Sequence, residues 1–214
     1  MANINGAFGL RPYGVLGSAT NSTGVTEYRI ASGNTNKIYK GMAVIPTADG
    51  VIDDLQAAAG GTVSILGVFN GCEYVSSTTG ETVFSNYWPG SGADSNFPVK
   101  AFVYDNPNQL FTIATSNVVA AANTEAEVRA AVFSNIQLAD GNSGDDTTGI
   151  SSATADLNTI ADTAAHALRI VGIMDDPENS DFTVAGIPLI VRINNHFNAP
   201  NGSIVQGTVS TTGV

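Results

Sequence analysis

The sequence is poor in cysteine, histidine and charge. Of its 214 residues one is a cysteine, Cys72, and two are histidines, His166 and His196. A single cysteine cannot form a disulfide within the chain, so no disulfide framework is expected. Charged residues make up 13% of the chain, which is about half of the usual ~25% share.

Basic residues are scarcer than acidic ones, with 8 Lys+Arg against 19 Asp+Glu and a formal net charge of -11. Nucleic acids and anionic membranes are bound by clustered Lys and Arg, so we expect neither as a partner. No run approaches the ~18 apolar residues of a membrane span. Residues 1–12 lack the basic and apolar regions of a signal peptide, so we expect the protein to be made and folded in a cytosol.

Groups for catalysis or metal binding are few. There is no G-x-S-x-G elbow, Cys72 lies in a predicted strand, and His196 follows a strand end as a hydrogen-bonded structural residue. Scattered Cys and His give no zinc spacing. The acidic loop 140–149 departs from the EF-hand pattern, since Ser151 stands where a Glu ligand is needed. We therefore predict no enzymatic activity, no cofactor and no metal.

The chain is rich instead in Asn, Thr, Ser and 23 glycines, with 43% hydrophobic residues. Many uncharged polar loop residues combined with this share of hydrophobic residues are typical of a β-rich globular protein. Asn70-Gly71 between two apolar runs predicts a type I′ hairpin turn, and Thr78-Thr79-Gly80 predicts a second turn. We predict a mainly β fold: an antiparallel β-sandwich or barrel-like body with one or two short helices and an extended N-terminal arm.

One helix has a clear start signal. Thr124-Glu-Ala-Glu127 fits the capping box, in which Thr and Glu satisfy each other's backbone donors. Val128, Ala131 and Val132 follow at helical spacing and predict a short packed face.

The predicted organisation has three parts. Residues 1–25 form the arm, residues 26–198 form a single β-rich body, and residues 199–214 form a C-terminal tail. Within the body, residues 118–165 are predicted to be an insertion that contains the helix and the acidic loop.

Five residues are candidates for an interface. Phe8, Leu10 and Tyr13 are spaced along a glycine-rich strip, which favours an arm that lays Phe8 and Leu10 into a neighbouring subunit over a frayed terminus. Tyr87 and Trp88 precede Pro89-Gly90 at a strand end, where we expect Trp88 to be partly exposed. Tyr and Trp are the residues that most often dominate protein interfaces.

Five segments resemble a group of small virion proteins of tailed bacteriophages, described as capsid-stabilising, decoration or cement proteins. They are residues 1–12, Gly67-Val-Phe-Asn-Gly-Cys-Glu-Tyr74, Phe84-Ser-Asn-Tyr-Trp-Pro89, Ala101-Phe-Val-Tyr-Asp-Asn-Pro107 and Arg192-Ile-Asn-Asn-His196. The resemblance implies a capsid-surface protein that bridges major capsid subunits. Its implied partners are the major capsid protein and copies of itself, as a dimer or trimer, and its implied location is the virion.

Other functions stay open. A tail-tube or other virion structural subunit is the nearest alternative, because tube subunits are β-rich proteins of similar size. A carbohydrate-binding β-sandwich is an alternative of another class, in which Trp88, Tyr87 and Asn86 would line the sugar site.

Overall fold

Strands dominate the computed structural model, which describes residues 3–4, 6–17, 24–55, 64–117, 124–163 and 165–199. The predicted mainly β fold is confirmed. In chain order the strands are β1 (Arg11–Val15), β2 (Thr26–Ile30), β3 (Ala43–Pro46), β4 (Ile52–Asp54), β5 (Gly67–Val75), β6 (Thr82–Ser85), β7 (Val99–Tyr104), β8 (Gln109–Ala114), β9 (Asn135–Ala139), β10 (Gly144–Asp145), β11 (Ile150–Ser151), β12 (Thr154–Ala161), β13 (Leu168–Ile173) and β14 (Pro188–Ile193).

Twelve of these strands form two antiparallel sheets of six. Sheet A has the spatial order β1-β8-β14-β13-β9-β12, and sheet B has the order β2-β7-β5-β3-β4, with β6 paired to β5. The remaining two, β10 and β11, form a small hairpin. The burial patterns show how many faces of a strand are covered. Strand β7 alternates buried and half-buried residues, as a strand with one core face does. In β8 all six residues are buried, so both of its faces are covered.

Each sheet is bent so that strands near its two ends contact each other. In sheet A, Thr115 after β8 forms a parallel bridge with Ala155 on β12. In sheet B, the first strand packs against the last, β2 against β4, and the side chains of Asn34 and Asn36 donate to Asp53. The body is therefore sandwich-like, with both sheets strongly bent.

The two faces of sheet B contribute to different cores. Successive residues of a strand point to opposite faces, so Ala43 and Val68 join the core shared with sheet A while Val44 and Phe69 join a second core. The second core is built around Trp88. The fold thus stacks a shared core and a separate core on either side of β3 and β5.

The predicted helix is confirmed as α1 (Glu125–Ala130). Thr124 N donates to Glu127 Oε2 at 3.1 Å, which completes the predicted capping box. Val128 is 1% exposed and Ala131 is 6% exposed, so the helix packs on the face that the spacing predicts.

The predicted hairpin at Asn70-Gly71 is wrong, because β5 runs straight through both residues. Gly71 has φ +151° and lies at a bulge, where the register of β5 against β7 shifts. Strands β6 and β7 occupy the two edges of β5 at this point. Their ladders hold β5 extended, so the glycine serves a bulge and not a turn. The second predicted turn is confirmed between β5 and β6, where Gly80 N donates to Ser76 O at 2.8 Å.

The range 118–165, predicted to be an insertion, contributes strands to sheet A in its described part. It contains β9 and β12, which are strands of sheet A, and their residues Ile136, Leu138 and Leu157 belong to the shared core. The structure describes residues 124–163 and 165 of this range. The predicted C-terminal tail lies outside the described residues after Ala199.

Candidate interaction surface

The N-terminal segment packs against its own chain, contrary to the predicted arm. Leu10 is 1% exposed and Phe8 is 9% exposed, because Leu10 N donates to Gly41 O at 2.8 Å and β1 pairs with β8. A Cβ on Gly9 would lie 2.7 Å from Gly41 O, so only glycine permits this close approach. In this chain Phe8 and Leu10 are core residues and not free anchors for a neighbour.

The same segment forms one wall of a small cleft, here called the N-terminal groove. The groove has a volume of about 70 Å³ and is lined by Phe8, Leu10, Arg11, Pro12, Lys40, Gly41, Phe69, Asn70, Tyr104 and Ile150. The lining residues belong to β1, β5, the end of β7, β11 and the segment that precedes β3. It therefore lies where the two sheets meet.

Two positively charged side chains, Arg11 and Lys40, line this groove. The Arg11 guanidinium carbon lies 4.2 Å from the centroid of the Phe8 ring, a cation–π contact, and both Arg11 and Lys40 are exposed. The ion pairs of the described chain join Lys37 with Asp146, Lys100 with Glu73 and Arg129 with Glu125. Arg11 and Lys40 form no ion pair with a described residue, so they give the groove positive charge in a protein of net charge -11.

Tyr13 is the most exposed of the five predicted interface residues. It is 51% exposed on β1, and among the described strands β1 pairs with β8 alone. The register of this pair shifts between Pro12 and Gly14, so Tyr13 sits at a bulge on an edge strand. Of the predicted residues, Phe8, Leu10 and Tyr13 lie together in one segment.

The expected exposure of Trp88 is wrong, because the indole is 0% exposed. Its Nε1 donates to Asn34 O at 3.1 Å, and its ring meets Tyr74 edge-on at a centroid distance of 5.5 Å. Tyr87 is partly exposed and stacks on Tyr39 at 5.4 Å. Trp88 is therefore a core residue, and Tyr87 lies apart from the N-terminal groove.

Several exposed apolar side chains lie outside the predicted set of interface residues. Phe84 is 74% exposed on β6, and Phe133 is 78% exposed after α1. Phe133 also has φ +78°, which is unusual for a bulky residue. The remaining exposed large apolar residues of the described chain are Ile4, Leu16, Val25 and Phe97.

The candidate nucleophile and base are both buried. Burial raises the pKa of the Cys72 thiol to about 12 and lowers the pKa of His196 to about 4. His196 Nδ1 accepts from Asn198 N at 3.1 Å, as the sequence interpretation of a structural histidine expects. Both groups are therefore held in their neutral forms near pH 7.

The carboxylates of the acidic loop bind neighbouring side chains and backbone. Asp146 accepts from Lys37 Nζ and from Tyr39 OH, each at 2.6 Å. The hydrogen bond from Lys37 is the main cause that lowers the pKa of Asp146. Asp145 accepts from Thr147 N at 2.8 Å. Among the residues that the structure describes, no three His, Cys, Asp or Glu side chains are grouped to hold a metal ion.

No helix within the described ranges is long and apolar enough to cross a membrane. No protein-family model, no curated protein and no solved structure matches this chain.

Proposed function

We propose that this protein is a structural virion protein that binds the outer surface of a tailed-bacteriophage capsid and stabilises contacts between major capsid subunits. The observation that carries the proposal is where the resembling segments meet. Phe8, Leu10, Arg11 and Pro12 come from the first segment, Phe69 and Asn70 from the second, and Tyr104 from the fourth; all seven line the N-terminal groove. Three separate segments that resemble virion proteins thus build one surface feature.

The groove fits a partner segment that presents an aliphatic side chain beside a carboxylate. The apolar floor would bury the side chain, and Arg11 and Lys40 would meet the carboxylate. Because Arg11 already lies over the Phe8 ring, it loses less side-chain freedom on binding than a free arginine. Each contact can be weak, since many copies on one lattice act multivalently.

The overall acidity supports the same role. With a net charge of -11, free copies repel one another, which limits association away from the capsid. A positively charged groove on an acidic molecule also orients its approach to an acidic partner.

The test uses purified capsids that lack this protein and measures the bound fraction by co-sedimentation. We expect Arg11→Glu and Lys40→Glu each to weaken binding by about tenfold, because each reverses a charge at the contact. Arg29→Glu is the matched control, since it makes the same charge change at an exposed arginine on β2, outside the groove, and it should bind as the wild type does.

Electron microscopy of the particles separates this proposal from its rivals. Density on the shell supports it, and equal binding by Arg11→Glu and the wild type contradicts the role of the groove. Hexameric rings of the protein would favour a tail-tube subunit. Absence from virions together with glycan binding would favour a carbohydrate-binding module.

A further inference from the structure

Strand β6 has an open edge. Its residues Thr82 to Ser85 pair with β5 on one side, and no strand in the described part of the chain pairs with the other side. Ser76 N donates to Glu81 O at 2.8 Å. This bond fixes which residue pairs of β5 and β6 are hydrogen-bonded and which are not, because the two kinds alternate along an antiparallel pair. In an antiparallel pair with this alternation, the N–H and C=O groups of Thr82 and Phe84 point away from β5.

The other sheet edges carry features that block strand addition. Charged residues, proline, bulges and closure all discourage edge pairing. Strand β1 has Arg11, Pro12 and a bulge, β2 has Glu27 and Arg29, and β4 has two aspartates and packs against β2. Strand β12 is bridged to the end of β8. By contrast β6 reads Thr-Val-Phe-Ser, with no charge, no proline and a regular register.

The residues that pair in one row with Phe84 carry little net charge for so acidic a protein. Phe84 pairs with Glu73, Glu73 with Lys100, and Lys100 with Arg29, and directly paired residues share one face of a sheet. Lys100 Nζ lies 3.5 Å from Glu73 Oε1, so this row carries one net positive charge. Repulsion between two copies is therefore much weaker here than the net charge of -11 suggests.

We infer that β6 pairs antiparallel with β6 of a second copy about a two-fold axis. The outward groups of Thr82 bond to those of Phe84 of the second copy, and the reverse pair follows by symmetry. This register places Val83 of both copies on the axis and forms about four backbone hydrogen bonds. It also buries part of the Phe84 ring, which is 74% exposed in the single chain, against the opposing Thr82. The partner that fits this edge is a copy of the same chain.

The first test is sedimentation of the full chain over a concentration series up to about 1 mM, where even a Kd near 1 mM populates a dimer. We expect a monomer–dimer equilibrium in the wild type and at least a tenfold weaker one in Phe84→Lys, because a lysine on an edge strand opposes pairing. Phe133→Lys is the matched control, since Phe133 is 78% exposed on another part of the surface, and it should dimerise as the wild type does. A wild type that stays monomeric, or a dimer that survives Phe84→Lys, overturns the inference.

The second test probes the register by mild oxidation of Val83→Cys. Residues that face each other at a non-hydrogen-bonded position have Cα atoms about 4.5 Å apart, which is within disulfide range. We expect a disulfide-linked dimer from Val83→Cys and none from the wild type, whose Cys72 is 2% exposed. A sample that dimerises but does not cross-link through Cys at position 83 contradicts the pairing on this axis.

Discussion

At the scale of single residues, His196 shows how burial sets chemistry. It follows β14, and it forms a parallel bridge with Ile65 just before β5. Its ring is 3% exposed, and Nδ1 accepts from Asn198 N, so the neutral ring carries its proton on Nε2. That Nε2 has no hydrogen-bond partner among the described residues. Burial is the main cause that lowers the pKa, and the Asp105 carboxylate opposes it.

This environment predicts that the protein loses stability in mild acid. The unfolded chain takes up a proton at His196 near pH 6.5, whereas the folded chain does so only near pH 4. The stabilisation is therefore complete above about pH 6.5 and is lost as the pH falls toward 4. Between about pH 7 and pH 4.5 the free energy of unfolding should fall by about 2 kcal/mol through this residue.

Urea unfolding at several pH values measures this fall. In His196→Gln the decrease between about pH 7 and pH 4.5 should be smaller than in the wild type by about this amount, whatever the absolute stability of the variant. Parallel pH profiles for the two proteins would contradict the prediction.

The sequence predicted some single residues and failed at others for a physical reason. Cys72 was placed correctly in a strand, because strand patterning is local. Trp88 was misplaced, because Pro89-Gly90 indicates only that the strand ends there. The indole N–H donates to the backbone oxygen of Asn34, which lies 54 residues away in the chain. Burial of a side chain depends on such distant neighbours.

At the scale of elements, Gly71 determines the junction of β5 with β6. It has φ +151°, and a Cβ there would lie 2.9 Å from Ser85 O. We expect Gly71→Ala to lower the free energy of unfolding by at least about 1 kcal/mol more than Gly50→Ala does. Gly50 is the matched control, since its φ is +72° but nothing lies within 4 Å of a Cβ. Denaturant titration of both variants measures the difference, and equal losses would argue against the close contact.

Elements defined by short-range signals were predicted well. The capping box located α1, and the Thr78-Thr79-Gly80 turn located the β5–β6 hairpin. Asn70-Gly71 failed because two neighbouring strands, not the local dipeptide, decide its conformation. Which strand belongs to which sheet could not be predicted from the sequence either. Strands β7 and β8 are joined by the short turn after Tyr104, yet they belong to different sheets. Such pairing depends on contacts between distant segments.

At the scale of the whole molecule, the N-terminal segment ties the two sheets together. The Asn3 side chain donates to Asp181 O at 3.0 Å and to Ala185 O at 2.9 Å, and Asn3 Oδ1 accepts from Asp181 N at 3.0 Å. Leu10 then inserts into the shared core, and β1 adds to the edge of sheet A. The segment is therefore part of the folded body, so its removal should damage the fold itself.

Leu10→Ala tests this role without deleting the segment. A buried leucine replaced by alanine costs about 2–5 kcal/mol, and we expect a loss in that range. Leu16→Ala is the control in the same segment, because Leu16 is 42% exposed, and it should cost about 0.5 kcal/mol or less. The free energy of unfolding in urea distinguishes the two variants. A small loss for Leu10→Ala would mean that the segment is not held in the core.

The N-terminal segment also has a consequence for biosynthesis. Residues 8–15 are made long before their partners, since β1 pairs with Gln109–Ala114 and Asn3 binds residues 178 and more positions later. Translation proceeds at about 5–20 residues per second, so roughly 5–20 s pass between the synthesis of Phe8 and Leu10 and the synthesis of β8. During that interval the apolar strip of the nascent chain lacks its partner strand β8, and we expect a chaperone to bind the growing polypeptide at this strip.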